Sequence, residues 1–294
     1  MICIYCEKNE AIKNSHIIPK FFYDWMKETA ITPYLRDISK PNQRLQDGLK
    51  VPLLCEICEN NFSKFENNYK SHLFKKIVNY RKEIPEILMI SESDKMFYLS
   101  LVWRQLANYL IYDDKKNQYP DEISLIAIKA QEIKKWMNNI QDFHENGNIA
   151  PIYIIPVKPE ILEKLNFRPS ETGMWYEYER SIGHDMRFWG KAKIEKIYVY
   201  IKLPFQIIVC DLINNEKDWD IPALHTISEL KLCDLKKVPE AIIELSYYRY
   251  NIKAREAYGA LSGKQRENIL EDVDKLSESE IQNTGSYKSM SRHK

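Results

Sequence analysis

Two closely spaced cysteine pairs constrain this chain more than any other feature. The sequence starts with Cys3-Ile-Tyr-Cys6, and a second pair, Cys55-Glu-Ile-Cys58, follows after 48 intervening residues. Two residues between paired cysteines let both sulfurs reach one ion, and four thiolates complete the tetrahedron that Zn²⁺ prefers. The sequence therefore predicts a structural zinc site, with every coordination position filled by protein and none left open for chemistry.

A histidine lies between the two pairs, in the segment Ser-His16-Ile-Ile-Pro. The order of first cysteine pair, His16, second pair and apparent helix resembles the zinc-containing HNH nucleases, which are also called ββα-metal nucleases. The resemblance covers about residues 1–80. It implies a treble-clef-like module in which the first pair lies on a turn before a β-hairpin. The histidine lies near the end of the first strand, and the second pair opens the helix.

This resemblance implies a metal-dependent endonuclease that hydrolyses phosphodiester bonds in DNA, with RNA as the second choice. A neutral imidazole is a suitable general base near pH 7, and a hard cation such as Mg²⁺ or Mn²⁺ supplies positive charge at the phosphate. By resemblance, His16 is the base that activates water. The alternative is a buried hairpin histidine bonded to backbone. The family's frequent role in bacterial restriction and anti-phage defence is likewise implied by resemblance alone.

The residue before His16 departs from the family's pattern. That position often carries an acid or a second histidine that binds metal, whereas this chain has Ser15, a poor ligand. The family's last ligand comes from the helix after the second cysteine pair. There Glu59 and Glu66 share nearly one face, because an α-helix turns by about 100° per residue. Glu66 is the preferred candidate for the catalytic ion and Glu59 the second, and solvated helix carboxylates are the alternative.

The family also uses a loop asparagine to position its histidine. Asn42 is the candidate match, and Asp47 is a rival, although Asp-Gly is also a turn signal. Asn60 and Asn61 are further candidates, and His72 is expected to be structural or to contact phosphate. Basic residues of the same loop are candidates for nucleic-acid binding, with solvated loop charges as the equal alternative: Arg36, Lys40, Arg44 and Lys50.

Charge and composition limit the partners. The formal net charge is +1, so any nucleic-acid binding must use a local patch. No apolar run approaches the length of a membrane span, and the N-terminus lacks a signal-peptide pattern. We therefore expect a cytoplasmic protein whose paired cysteines bind metal, with DNA as its partner and no membrane contact. A regulatory protein or a second copy of the chain is a further candidate partner.

Hydrophobic patterning predicts an α+β fold. Apolar residues at spacings of three and four predict helices, and β-branched and aromatic runs predict strands of an antiparallel sheet. The predicted helices cover 17–29, 59–80, 94–113, 121–145, 238–262 and 264–276. The predicted strands cover 151–156, 174–178, 197–201 and 205–209. In this division the zinc module covers 1–80 and an α+β recognition domain covers 81–276, with a helical middle and a C-terminal antiparallel sheet with helices. A disordered tail covers 277–294.

A second interpretation is a zinc knuckle that binds nucleic acid or protein without hydrolysis, and Ser15 in place of an acid motivates it. The aromatic residues after His16, among them Phe21 and Trp25, are expected to pack beneath the hairpin rather than to stack on bases. His184 and Asp185 form the other histidine–acid pair of interest. They are expected to be turn residues rather than a second catalytic centre.

Overall fold

The computed structural model describes residues 1–78, 84–169, 175–191, 193–214 and 216–291. This part of the chain combines α-helices with antiparallel β-sheets, as the sequence predicts. Buried apolar side chains from Cys3 to Tyr250 form one hydrophobic cluster. The predicted boundary between residues 80 and 81 lies outside the described residues.

The N-terminal segment is a short strand pair followed by a helix, with a long excursion between the strands. Its elements, in chain order, are β1 (Ser15–His16), α1 (Lys20–Glu28), β2 (Leu35–Asp37), β3 (Lys40–Leu45), β4 (Lys50–Val51) and α2 (Glu56–Tyr69). β1 pairs antiparallel with β4, and β2 with β3. A π-helical turn, Lys70–Phe74, joins α2 to α3 (Lys75–Ile77), so the predicted helix is continuous as far as residue 77.

Helix α1 packs its aromatic side chains against this long helix. Phe22 is fully buried, and its ring centroid lies 5.0 Å from that of Phe74. The centroids of Phe21 and Trp25 lie 5.4 and 5.5 Å from the same ring. The aromatic residues after His16 therefore contribute to packing, as expected, and α1 is held next to the strand pair.

The helical middle begins with β5 (Ile87–Met89) and α4 (Glu92–Tyr112). Ser91 and Asp94 form a capping box at the start of α4, which is the helix signal that the sequence carries. α4 is the central helix of the fold, because it packs against both α2 and α5 (Ile123–Asn138) and reaches the main sheet. Asn139 ends α5 and caps α6 (Ile140–Asn146), so the predicted helix at 121–145 is interrupted there.

The main sheet has four antiparallel strands in the order β6-β9-β8-β7. The elements of this region are β6 (Ile152–Pro156), α7 (Pro159–Lys164), α8 (Tyr176–Glu179), β7 (Gly183–Trp189), β8 (Lys196–Leu203) and β9 (Gln206–Asp211). Three of the strands coincide with predicted ones.

The predicted strand at 174–178 is wrong where the structure describes it, because residues 176–179 form the short helix α8. Tyr178 is fully buried there against Trp175 and Tyr250, so tertiary packing outweighs the β-propensity of the aromatic run. Met174 lies outside the described residues. Strand β7 has no predicted counterpart, since Gly183, His184 and Asp185 interrupt its apolar pattern.

The C-terminal part is helical apart from β10 (Glu229–Lys231), which pairs with β5. Its helices are α9 (Glu240–Tyr247), α10 (Ala254–Gly259), α11 (Gly263–Asp274), α12 (Glu278–Asn283) and α13 (Gly285–Ser291). A π-helical segment, Tyr248–Lys253, joins α9 to α10. Within the described part of the chain, every helix is too short or too polar to cross a lipid bilayer.

The segment 277–291 forms α12 and α13, whereas disorder was expected from residue 277. Ser277 begins α12 with a capping box that includes Glu280. Ser289, on α13, is fully buried and donates a hydrogen bond to the carboxylate of Glu179 on α8. Capping and this buried contact explain the order, which polar composition alone did not predict.

Candidate metal centre and the adjoining histidine

Four cysteine sulfurs lie close together at the start of α2. The Sγ atoms of Cys3, Cys6, Cys55 and Cys58 are all within 4.8 Å of one another, and those of Cys6 and Cys55 are 3.7 Å apart. Sulfurs arranged tetrahedrally at Zn–S bonds of about 2.3 Å would be about 3.8 Å apart. The donor set and its spacing therefore fit a zinc ion, as the sequence predicts.

Backbone hydrogen bonds join the two cysteine pairs. The first pair forms a tight turn in which Glu7 adopts a positive φ of 58° and donates its N–H to the carbonyl of Cys3. The N–H of Ile4 donates to the carbonyl of Leu53, just before the second pair. Cys55 then serves as the N-cap residue of α2. The cluster thus links the extreme N-terminus to the strand–helix junction.

The four thiols differ in acidity. Backbone N–H groups, that of Asn9 first, lower the pKa of Cys6 to about 6. Burial raises the pKa of Cys55, but the backbone N–H of Cys58 and further hydrogen bonds outweigh it and lower that pKa overall. Burial raises the pKa values of Cys3 and Cys58. Thiolate is the form of cysteine that binds metal. Cys6 and Cys55, whose pKa values are lowered, are therefore the two thiols that ionise most readily.

His16 lies beside a carboxylate, which the loop before β4 supplies. Its Nε2 atom is 3.0 Å from Oδ2 of Asp47, within ion-pair distance. The same oxygen is 2.9 Å from Nζ of Lys50, the residue opposite His16 in the strand pair. Partial burial raises the pKa of Asp47, but Lys50, His16 and the N–H of Gly48 lower it to about 2. Asp47 is therefore an anion beside the imidazole.

Asn42, predicted to position His16, makes its hydrogen bonds elsewhere. Its amide donates to the carbonyl of Ala260 and accepts from the N–H of Ser262, at 3.0 and 2.8 Å. Asp47, the alternative candidate from the sequence, lies beside the imidazole instead. Asn42 lies on β3, which the C-terminal helices cover, and no local pattern predicts that contact. Asn60 and Asn61 are exposed on α2.

The two predicted metal-binding carboxylates of α2 have different surroundings. Oε1 of Glu66 accepts a 2.6 Å hydrogen bond from Nη2 of Arg104. Oε2 of Glu59 is buried and has no hydrogen-bond partner among the described residues. Burial raises the pKa of Glu59, and Arg104, His16 and the Ser15 hydroxyl oppose that rise. Glu59 thus lies within electrostatic range of both Arg104 and His16.

Arg104 is a residue that sequence reasoning missed. It lies on α4, its side chain is only 1% exposed, and its Nε and Nη1 atoms lack hydrogen-bond partners in the described part of the chain. Its guanidinium lies 5.1 Å from the ring centroid of Phe62. The sequence signal for Arg104 was an arginine at a core-facing position of an apolar helix. Because an arginine is rarely buried without a partner, that position predicts a buried ion pair.

Ser15 has a structural role. It is fully buried, and its Oγ accepts a 3.1 Å hydrogen bond from the N–H of Leu54, next to the second cysteine pair. A serine at this position therefore fixes the approach to α2. In the described part of the chain, the four cysteines are the only group of three or more His, Cys, Asp or Glu side chains close enough to share an ion.

Three of the four basic residues considered for nucleic-acid contact, namely Arg36, Arg44 and Lys50, have partners within the chain. Arg36 donates to the carbonyl of Pro41 and to Gln265, at 2.7 and 2.8 Å. Arg44 lies 3.3 Å from Asp272 and stacks 3.9 Å from the ring centroid of Tyr34. Lys50 contacts Asp47, as described above.

The other two histidines considered are also paired with acids or close to them. Nδ1 of His72 is 2.7 Å from Oδ2 of Asp94, which suits a structural histidine. His184 and Asp185 lie on β7 rather than in a turn. Asp185 contacts three cations, namely Lys115, Arg187 and Arg249.

The chain matches no protein-family model, no curated protein and no solved structure. The resemblance to HNH nucleases therefore depends on the residues quoted above and on the geometry around them.

Proposed function

We propose that this chain is a metal-dependent endonuclease whose catalytic module is held together by a structural zinc ion. The observation that carries the proposal is the position of His16. It lies in a two-stranded ladder beside Asp47, and its neighbour Ser15 accepts a hydrogen bond from the N–H of Leu54, the residue before the second cysteine pair. The order β1, β4, α2 is also the strand–strand–helix order that a ββα-metal module requires. We propose that these three elements form a treble-clef-like module.

In the proposed reaction, His16 accepts a proton from the water that attacks the phosphodiester. Asp47 orients the imidazole, and Lys50 keeps Asp47 ionised. A divalent ion such as Mg²⁺ or Mn²⁺ would stabilise charge on the phosphate when bound. Such ions commonly bind to one or two carboxylates plus phosphate oxygens, and Glu59 is the better placed of the two predicted carboxylates. Glu66 would serve mainly to hold Arg104.

The test is cleavage of supercoiled plasmid and of single-stranded RNA, with Mg²⁺ or Mn²⁺, by the native protein and by His16→Ala. We expect the native protein to cut DNA and the variant to lose at least about a hundredfold in rate, as for removal of a general base. His72→Ala is the matched control, because His72 also faces a carboxylate but lies outside the proposed site. Equal cutting by native and His16→Ala protein, or no cutting with either metal, would refute the proposal.

A non-catalytic zinc-knuckle binding module is the second candidate. The structural role of Ser15 and the pairing of Glu66 with Arg104 favour it, because both reduce the groups available to hold a catalytic ion. This candidate predicts that native protein and His16→Ala bind DNA, or a partner protein, equally and leave it intact. A role in bacterial restriction or anti-phage defence, in the cytoplasm, is proposed as the context for either function.

A further inference from the structure

A cleft of about 510 Å³ lies between the C-terminal end of α4 and the strands β4 and β7. Gln105, Asn108 and Tyr112 line it from α4, Val51 from β4 and Asp185 from β7. Its volume is within the range of small-molecule binding sites, about 300–1,000 Å³. None of the residues assigned to the proposed reaction lines this cleft.

Two buried primary amides form part of its wall. Gln105 is 1% exposed and Asn108 is 5% exposed, and they lie three residues apart on one face of α4. Oε1 of Gln105 and Oδ1 of Asn108 have no hydrogen-bond partner in the described residues. A buried amide oxygen without a partner is costly, and native proteins usually satisfy it. Both residues line the cleft, so a small rotation of each side chain would bring these oxygens to the hydrogen-bond donors of a bound molecule.

The charges around the cleft do not favour an anion. Lys115 and Arg249 line it, but both contact the carboxylate of Asp185, at 2.9 and 2.6 Å. Asp113 and Asp114 add two further negative charges to the lining. Burial lowers the pKa of His184, another lining residue, to about 4, so that it is neutral at pH 7. The ligand that fits is therefore not an anion where it enters the cleft.

The remaining wall is partly apolar. The hydroxyl of Tyr112 donates a 2.6 Å hydrogen bond to the carbonyl of Pro52, which holds the ring in place. Leu49 and Val51 extend this surface. Primary amides offer a donor and an acceptor side by side, which is the pattern that pairs with the edge of a nucleobase. An aromatic ring offers a face on which a base can stack.

We propose that this cleft binds a nucleobase, with the sugar and any phosphate outside. The base would come either from a free nucleoside or from a nucleotide extruded from a strand. The cleft is separate from the His16 site, because neighbouring residues of a strand point to opposite faces. Val51 faces the cleft, whereas Lys50 faces Asp47 and His16.

The experiment is isothermal titration of the full-length His16→Ala protein, so that no ligand strand is cut. The ligands are the common nucleosides, their 5′-monophosphates, ribose, inorganic phosphate and a short single-stranded oligonucleotide with or without one abasic position. We expect at least one nucleoside to bind with about the same affinity as its monophosphate, and ribose and phosphate not to bind. If the oligonucleotide binds and the abasic position abolishes that binding, the base comes from a nucleic-acid strand. If only nucleosides bind, the ligand is a free nucleoside.

Gln105→Leu and Asn108→Leu should each weaken nucleoside binding by about tenfold or more. Neither should lower the Tm, because each removes an oxygen that has no partner. Gln131→Leu, on the exposed face of α5, is the matched control and should bind like the parent protein. No nucleoside binding, inhibition of binding by phosphate, or unchanged affinity in both leucine variants would overturn the proposal. None of these outcomes depends on whether the native protein cleaves nucleic acid.

Discussion

Asp47 is central to the charge arrangement around His16, since it contacts both the imidazole and Lys50 through the same oxygen. Its side chain is 13% exposed, so these contacts are less screened than surface ion pairs. The carboxylate should therefore contribute to stability as well as to the orientation of the histidine.

Asp47→Asn should destabilise the protein at neutral pH by about 2 kcal/mol, and this difference should disappear in acid. The folded-state pKa of about 2 lies below the ordinary value of 3.8. The stabilising effect is thus present above about pH 4 and is lost as the pH falls towards about 2. Urea unfolding of the native and variant proteins across this range measures it. Asp37→Asn, at an exposed position of β2, is the control, and a difference between native and Asp47→Asn protein that persists at pH 2 would contradict the assignment.

Lys202 is a second residue whose charge state matters. It is fully buried on β8, and its Nζ donates to the backbone carbonyl of Leu203. Burial lowers its pKa well below 10.5, with partial compensation from Glu179. A lysine in this environment is costly, because the unfolded chain holds the proton more tightly than the folded one.

Lys202→Met should therefore raise the free energy of unfolding at pH 7 by about 1 kcal/mol. Between the lowered pKa and about 10.5 the unfolded state binds more protons, so native stability should rise with pH towards 10. The variant should lack that rise. Thermal unfolding between pH 7 and 9.5 checks both points, with Lys253→Met, at a side chain that is 41% exposed, as control. A less stable Lys202→Met protein, or one with the native pH slope, would show that the ammonium is well paired.

At the scale of elements, the β2–β3 hairpin depends on the other end of the chain. Its residues Arg36, Asn42 and Arg44 bond to Gln265, to the α10–α11 junction and to Asp272, respectively. Helix α11 has no buried residue, so these polar contacts account for much of its attachment. Two of the basic side chains considered for phosphate binding, Arg36 and Arg44, thus hold the hairpin and α11 together.

Asn42→Ala should loosen this attachment without unfolding the protein. It removes two hydrogen bonds to residues 260 and 262, each worth about 1 kcal/mol. We expect faster amide exchange in residues 35–45 and 263–274 and a small loss of global stability. Hydrogen–deuterium exchange measures both, and Asn61→Ala on the exposed side of α2 serves as control. Unchanged exchange in both segments would mean that Asn42 is not important for the contact.

At the scale of the whole molecule, the cysteine cluster joins the N-terminus to α2, and α2 packs on the central helix α4. Residues of this region share one hydrophobic cluster with the rest of the protein. Loss of the ion should therefore lower the stability of the protein beyond its first 80 residues.

Removal of zinc by a strong chelator, or Cys58→Ser, should lower the Tm by about 10 °C, since metal binding contributes directly to folding. Metal analysis should find one zinc ion per native chain and less in the variant. Cys233→Ser is the matched control, because Cys233 is exposed and outside the cluster. A zinc content and Tm that are the same in native protein and Cys58→Ser would show that the cluster is not a zinc site.

Sequence reasoning predicted the cysteine cluster, helix α4 and three strands of the main sheet. Each of these depends on residues close together in the chain or on the chemistry of one residue type. It did not predict β7, whose charged Asp185 is stabilised by cations from α9–α10 and from the segment after α4. It also missed the helices after residue 277, which are ordered by distant packing.

The sequence by itself determined that four thiols would meet, because spacing and ligand chemistry are local properties. It also contains a histidine between the two cysteine pairs along the chain. Only the tertiary structure decided which side chains surround that histidine. It placed Asp47 beside the imidazole, buried Arg104 against Glu66, and turned Arg36 and Arg44 towards α11. Those pairings join segments far apart in the chain, and the packing of the shared core, rather than any local pattern, brings such segments together.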